Sequence, residues 1–245
     1  MSNMSVLITG ASSGIGRATA LMLAERGAAL TLAARNYAAL TDVTEQARRL
    51  GGQAIAVPVD VTQRAQVIEL VSEAAATYGR IDGLVNCAGQ GVLRPALDLT
   101  DEDIDRMLAV NTKGVLVVTQ IVVGHMLKTA ALRATGRPVG RVITPVGTMG
   151  RYVMRGSAAY SASKWGAAGA LKAMATEFQR QGIQFTLLYF GGVDSPFWDA
   201  IDMPVQRDKM LRPQDAADAI VRALEAPAYS VLNEIVLQPE SHQFL

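Results

Sequence analysis

Residues 4–9, Met-Ser-Val-Leu-Ile-Thr, form a short apolar and β-branched run that ends on Gly10, and Gly14 and Gly16 follow closely. A helical pattern over residues 17–26 comes next and stops at Gly27. Few folds accept this order. Strand, glycine loop and helix bring free backbone N–H groups to a helix N-terminus, where a phosphate can sit. Gly10 would permit the tight turn, Gly14 the close approach of a pyrophosphate, and Gly16 tight packing of helix on strand. Residues 28–34 read as a second strand, which completes a βαβ unit.

The alternation continues to the end of the chain. Strand patterns cover residues 53–59, 82–86, 141–144, 183–190 and 231–237, and helical patterns cover 37–50, 63–78, 101–127, 159–181 and 213–225. Such alternation implies an α/β protein of Rossmann type: a doubly wound, mainly parallel sheet with helices on both faces. Pro58 would break a central ladder, so the third strand belongs at a sheet edge. A strand order of 3-2-1-4-5-6 puts it there. Residues 1–245 are expected to form a single domain, with no linker or repeat dividing them.

Composition narrows the functional classes. Of the 245 residues 50% are hydrophobic and 18% charged, and the net charge is +1. No basic footprint for nucleic acid and no Lys/Arg run for a membrane surface is present. The longest apolar stretch, residues 115–123, is short for a bilayer span and contains Thr119 and Gln120. Residues 1–4 lead into the first strand without a charged leader. Cys87 is the only cysteine, which fits a reducing, cytoplasmic compartment. Two histidines, His125 and His242, cannot supply a conventional metal site with one cysteine.

The glycine loop has two rival readings. A P-loop needs Gly-Lys-Ser/Thr after its second glycine, whereas Gly14 is followed by Ile15, Gly16 and Arg17. The second rival is a nucleophile elbow, because Gly10-Ala-Ser12-Ser13-Gly14 matches Gly-x-Ser-x-Gly. Ser12, Asp194 and His242 would even follow in serine-hydrolase order. Only one strand precedes Ser12, however, so the earlier loop that supplies an oxyanion hole has no place in the chain.

Tyr160 and Lys164 stand four residues apart, so on a helix both emerge on one face. A phenol normally keeps its proton to about pH 10. An ammonium one turn away would favour the phenolate and make the hydroxyl a usable acid or base. Alone the pair is a weak signal. With the glycine loop in the same chain, the pattern resembles the short-chain dehydrogenases/reductases over essentially the whole length. Thr9 to Gly16 resembles their cofactor loop, Asp60-Val61 the pair that contacts adenine, and Asn86-Cys87-Ala88-Gly89 their Asn-Asn-Ala-Gly motif. Asn111 falls where the family has an asparagine that orders the fourth helix and a relay water. Tyr160 and Lys164 match the catalytic pair.

The resemblance implies hydride transfer between a nicotinamide and a carbonyl carbon. Tyr160 would exchange the proton at oxygen, and Lys164 would bind the nicotinamide ribose. Ser12, Ser13, Gly14 and Ile15 would lie along the pyrophosphate. At the end of the second strand Ala34 stands where an acidic residue would bind ribose hydroxyls, followed by Arg35 and Asn36. A guanidinium in place of a carboxylate favours the phosphorylated cofactor, NADP(H), over NAD(H).

Two departures qualify the match. The family's catalytic serine, thirteen residues before the tyrosine, is replaced by Gly147. Losing one such oxyanion donor typically costs about 10²–10³ in rate. Thr148, one position on, is the expected substitute, although in a regular strand it would point to the opposite face. After the sixth strand the usual Pro-Gly becomes Phe190-Gly191, with Val193 and Ser195 left to meet the nicotinamide carboxamide. Residues 195–212 would cover the substrate, with Phe197, Trp198 and Met203 lining an apolar pocket for a ketone, aldehyde or alcohol. The resemblance also implies a homodimer or homotetramer, and the small residues Ala167, Ala168 and Ala170 suit close helix contact. The competing function is a cofactor-binding protein with weakened or lost catalysis, acting as a sensor or partner.

Overall fold

The computed structural model describes residues 4–132, 138–201 and 203–243. Asp202, inside the expected substrate cover, and residues 1–3, where a leader was discounted, lie outside that set. The strands are β1 Ser5–Thr9, β2 Ala29–Ala34, β3 Gln53–Pro58, β4 Gly83–Asn86, β5 Gly140–Pro145, β6 Ile183–Phe190 and β7 Glu234–Leu237. They form one sheet in the order β3-β2-β1-β4-β5-β6-β7, and every pair is parallel. The order extends the expected one by β7. Helices α1 Gly14–Glu25, α2 Tyr37–Arg49, α3 Arg64–Tyr78, α4 Asp101–Met107, α5 Val115–Lys128, α6 Ala158–Phe178 and α7 Pro213–Glu225 cover it.

Both faces of the sheet are buried, which is why its central strands read as unbroken apolar runs. Along β1, Val6 and Ile8 point to one face and Leu7 to the other. On the first face they meet Leu23 of α1, Leu40 of α2 and Ile220 of α7. On the second, Leu7 joins Leu70 of α3, Val118 of α5 and Leu171 of α6. The central strand β1 is held in register on both sides, with Val6 opposite Leu30 of β2 and Gly83 of β4. Pro58 closes β3 at the sheet edge, opposite Ala34, where a missing N–H leaves no gap in a central ladder.

Most boundaries shift by a residue or so, and three differences from expectation matter more. Helix α1 begins inside the glycine loop, at Gly14. Strand β7 begins at Glu234, three residues late. The helix expected over 101–127 runs from Asp101 to Lys128 but is α-helical only at its ends; Leu108–Gly114 is π-helical. By length and composition this continuous helix could cross a membrane, which the interrupted apolar run did not suggest. Its apolar side chains Val115, Val118, Val122 and Met126 are instead buried against the sheet.

At the N-terminal edge of the sheet the buried Arg141 on β5 ties down the end of α7. Its guanidinium donates to the carbonyls of Leu224 and Ala226, and to Pro227 at 3.4 Å. A cation placed on helix-terminal carbonyls complements their partial negative charge.

Candidate active site

The C-terminal ends of the strands open into one cavity of about 1630 Å³. A cleft outside the carboxyl ends of a parallel sheet, where the strand order reverses between β1 and β4, is where this architecture receives ligands. One end is walled by the glycine loop, the middle by Cys87, Ala88 and Gly89, and the other end by Gly147, Thr148, Tyr160, Lys164, Phe197 and Trp198.

The glycine loop is built for close approach. Gly10 has φ 67° and Gly14 φ 51°, conformations that only glycine adopts freely. A Cβ at Gly10 would stand 2.6 Å from the backbone of Cys87 and Ala88, and one at Gly16 would collide with the carbonyl of Gly10. Ser13, the residue before α1, is extended and makes no side-chain cap. The N–H groups of the first turn of α1 are therefore presented to the cavity without a capping side chain. Ser12, Ser13 and Ile15 lie along this wall.

Arg35 and Asn36 flank the end of β2 beside Asp60 and Val61. Asn36 is committed: its side chain accepts from the Ala39 N–H at 3.1 Å and caps α2. Asp60 is committed as well, accepting from both the N–H and the hydroxyl of Thr62. Arg35 is exposed and makes no hydrogen bond or ion pair to any described residue, so its guanidinium is available to a ligand.

Asn86 and Ser195, both expected at the cofactor, do not line the cavity itself. The Asn86 amide is buried behind the cavity, donating to Thr119 at 3.1 Å and Thr144 at 3.1 Å; it fastens β4 to α5 and β5. Its strand position points the side chain into the sheet packing, away from the loop that follows. Ser195 lies against the glycine loop, with its Cβ 3.1 Å from the point where a Gly14 Cβ would be. The segment after β6 thus brings Ser195 to that loop. Gly191 and Val193 do line the cavity.

Tyr160 and Lys164 emerge one turn apart from α6, both half-buried and facing the cavity. Lys164 Nζ is 5.7 Å from the centre of the Tyr160 ring and hydrogen-bonds to none of the described residues. Burial pushes its pKa down from 10.5 to about 8, with the neighbouring Cys87 thiol opposing slightly. Burial pushes the Tyr160 phenol above its ordinary value of 10. The expected lowering of the phenol by the ammonium is therefore outweighed by burial. Both charged forms lose solvent, and the ammonium lies over the ring, so desolvation wins.

Asn111 lies in the π-helical stretch. Its Nδ2 donates to the Gln90 carbonyl at 2.8 Å and to the Ser163 hydroxyl at 2.9 Å, and its Oδ1 accepts from the Gln90 N–H at 3.0 Å. Both amide donors are spent on locking the loop after β4 to α6. Asn111 Oδ1 and Lys164 Nζ lie 3.3 and 3.5 Å from the Cβ position of Gly89, so both border the same small space. Ser163, which sequence reasoning missed, also donates to the Tyr160 carbonyl at 2.7 Å. It sits on α6 between the two residues that mattered most, with no motif to mark it.

Gly147 has φ 71° and ψ 162°, a region that is essentially glycine-only. A Cβ there would find only the Phe190 carbonyl at 3.8 Å and the Tyr160 hydroxyl at 4.0 Å, so space is not the obstacle. The strand ends at Pro145, and a 3₁₀ turn starts at Thr148. Strand alternation therefore lapses, and Thr148 turns to the cavity instead of away from it. It is 5% exposed, and its hydroxyl bonds to none of the described residues.

A family model for short chain dehydrogenase matches residues 4–205. The chain belongs to that family. Among the relatives of this short chain dehydrogenase, an uncharacterized oxidoreductase of Staphylococcus aureus is 34% identical over 95% of this chain and 96% of its own. One of Staphylococcus epidermidis is 32% identical with the same coverage. An alcohol dehydrogenase from the archaeon Thermococcus sibiricus, solved with 5-hydroxy-NADP, shares the fold with a TM-score of 0.88 at 24% identity, covering 99% of both chains. A metagenomic short-chain oxidoreductase in complex with NADP gives 0.81 at 28% identity, covering 97% of both. The protein is thus an oxidoreductase of this family.

In this short chain dehydrogenase the Tyr160 end of the cavity is closed by residues that follow β6. The Phe197 ring is 5.6 Å from that of Tyr160 and 5.3 Å from that of Trp198. Phe197 lies against Gly91, where a Cβ would come within 2.5 Å of it. The Trp198 indole donates to the Val193 carbonyl at 2.9 Å. Arg207 clamps the segment by donating to Asp194 at 2.6 Å, to Asp199 at 2.6 Å and to the Ser195 carbonyl at 3.1 Å. The Asp194 carboxylate thus serves a clamp and not the hydrolase triad. Met149, Met154, Met203 and Met210 complete the apolar wall. Met203 and Met210 both belong to the expected 195–212 cover, whereas Met149 and Met154 come from a separate segment and were not foreseen.

Proposed function

We propose that this protein is an NADP(H)-dependent oxidoreductase that interconverts an apolar ketone or aldehyde with its alcohol. The observation that carries the proposal is that Tyr160 and Lys164 share one cavity with an uncapped α1 N-terminus and an unengaged Arg35. A bound nicotinamide supplies or accepts the hydride. The first turn of α1 and the glycine loop hold the pyrophosphate, and Arg35 holds the 2′-phosphate. Lys164 holds the nicotinamide ribose. Tyr160 gives a proton to the carbonyl oxygen or takes it from the alcohol. Thr148 donates its hydroxyl to that oxygen, filling the role that Gly147 cannot. Phe197, Trp198 and the methionines hold the apolar part of the substrate and keep water out.

A single domain in a reducing, cytoplasmic setting accords with the lone cysteine. A homodimer or homotetramer joined through the 101–128 helix and α6 accords with the exposure of Trp165 and Leu108 there, and light scattering tests it. Ala167 and Ala168 are used up in internal packing and add nothing to that argument.

Steady-state turnover of a ketone and aldehyde panel with NADPH tests the reaction. Tyr160→Phe is expected to lose about 10²–10⁴ in kcat while NADPH still binds. A substituted protein as active as the parent would sink the mechanism. Fluorescence titration should give a lower Kd for NADPH than for NADH; the reverse order would overturn the role of Arg35. The second function, cofactor binding without turnover, is motivated by Gly147 and wins if no panel member turns over although NADPH binds.

A further inference from the structure

We propose that Lys164, in the protein without dinucleotide, is a covalent capture site for aldehydes, forming an imine that bound NADP(H) prevents. Its Nζ opens on the cavity and no carboxylate among the described residues reaches it. The titratable groups that face it are the Tyr160 phenol on its own helix and the Cys87 thiol after β4. Both stay neutral at ordinary pH, since burial raises each; Cys87 is pushed up to about 12. No anion therefore holds the proton on the amine, and burial lowers its pKa to about 8, so near neutral pH far more of Lys164 is free nucleophile than of an ordinary lysine. Desolvated lysines of this kind are the ones that form Schiff bases.

The other four lysines offer a built-in contrast. Lys113, Lys128, Lys172 and Lys209 are exposed, and the Lys172 ammonium is fixed on Glu234 at 2.6 Å. At Lys164 the neutral nitrogen adds to the aldehyde carbon, and the carbonyl oxygen takes up a proton to give a carbinolamine. That hydroxyl then leaves as water while nitrogen gives up its remaining proton. The balance is amine plus aldehyde to imine plus water, with no oxidant or reductant. The protonated Tyr160 hydroxyl, one turn away, can protonate the departing oxygen. Ketones, more hindered at carbon, react less.

The consequence is an ordered encounter. An aldehyde that arrives before the dinucleotide is trapped in a dead-end adduct, whereas a dinucleotide already seated on Lys164 protects the site. Only the shielding part rests on the function proposed above; capture itself needs no turnover.

The test uses the full chain, hexanal and cyanoborohydride at pH 6.5 and 8.5, with peptide mapping of every lysine. Lys164 is expected to label about 10-fold or more faster than Lys113 and Lys128 at pH 8.5. Its own rate should fall at pH 6.5 as the amine is protonated, while its fold-advantage over those two lysines persists, because their free-amine fractions fall further; saturating NADPH should abolish its labelling alone. Labelling of Lys164 at or below the rate of the exposed lysines overturns capture and leaves the dehydrogenase proposal standing. Undiminished labelling while NADPH is bound, as followed by its fluorescence, overturns the ordering. An enzyme without measurable turnover that still labels at Lys164 supports capture and sinks only the catalytic proposal.

Discussion

Gly147 shows how a missing side chain can be a property of the backbone. With φ 71° and ψ 162° any other residue is strained by about 1–3 kcal/mol. Gly147→Ser should therefore lower Tm by about 2–4 °C for each kcal/mol in a chain of this size, measured by calorimetry. An unchanged Tm would show that the loop adapts at no cost. Restoring the family's serine is for this reason a poor test of catalysis, and Thr148 is the better target. Thr148→Val keeps the shape and removes the hydroxyl. It should lower kcat by about 10²–10³ with NADPH affinity unchanged, and Thr148→Ser should recover most of the loss. If Thr148→Val turns over normally, the donor is something else.

At the scale of elements, the segment after β6 is held shut by one arginine. Arg207 joins Asp194 at the start of the segment to Asp199 in its 3₁₀ turn. Arg207→Ala should speed proteolytic cleavage between residues 195 and 209 and alter Trp198 emission, with little change in global Tm, because these pairs are solvent-exposed. Equal cleavage rates in the two proteins would remove the clamp from the account. Elements like this were only partly legible in the sequence. The strand order could be read because parallel strands buried on both faces leave plain apolar runs, and Pro58 marked the edge. The glycine loop could be read because its backbone admits few alternatives. The π-helical stretch could not, since a shift from i→i−4 to i→i−5 bonding leaves the apolar pattern nearly unchanged. Nor could the conformation of Gly147: thirteen-residue spacing locates a position and says nothing of its φ. The partners of the Asn86 and Ser195 side chains could not be read for a related reason, because a motif gives the order of residues and not the direction of their side chains.

For the whole molecule, the cavity sets a pH signature. The folded protein disfavours the Lys164 ammonium, so between about pH 8 and 10.5 the unfolded chain binds more protons and stability rises with pH. Tyr160, raised above 10, acts the other way only at higher pH. Below pH 8 the full penalty applies, so Lys164→Met should be more stable than the parent at pH 7, with the gap closing by pH 10. Urea unfolding at the two pH values measures it, and a gap that widens with pH would contradict the sign. Solvent in the cavity reduces the size of this effect without reversing it. Each helix that follows a strand of this parallel sheet begins at the cavity edge and ends at the far edge, where Arg141 quiets the terminus of α7. The peptide dipoles of α1, α2 and α3 thus share a direction, and their positive poles gather where the dinucleotide would arrive. A chain with a net charge of only +1 can in this way attract a polyanion through its main chain. Added electrolyte would then mute the contribution of the exposed Arg35 far more than the pull of those aligned amides.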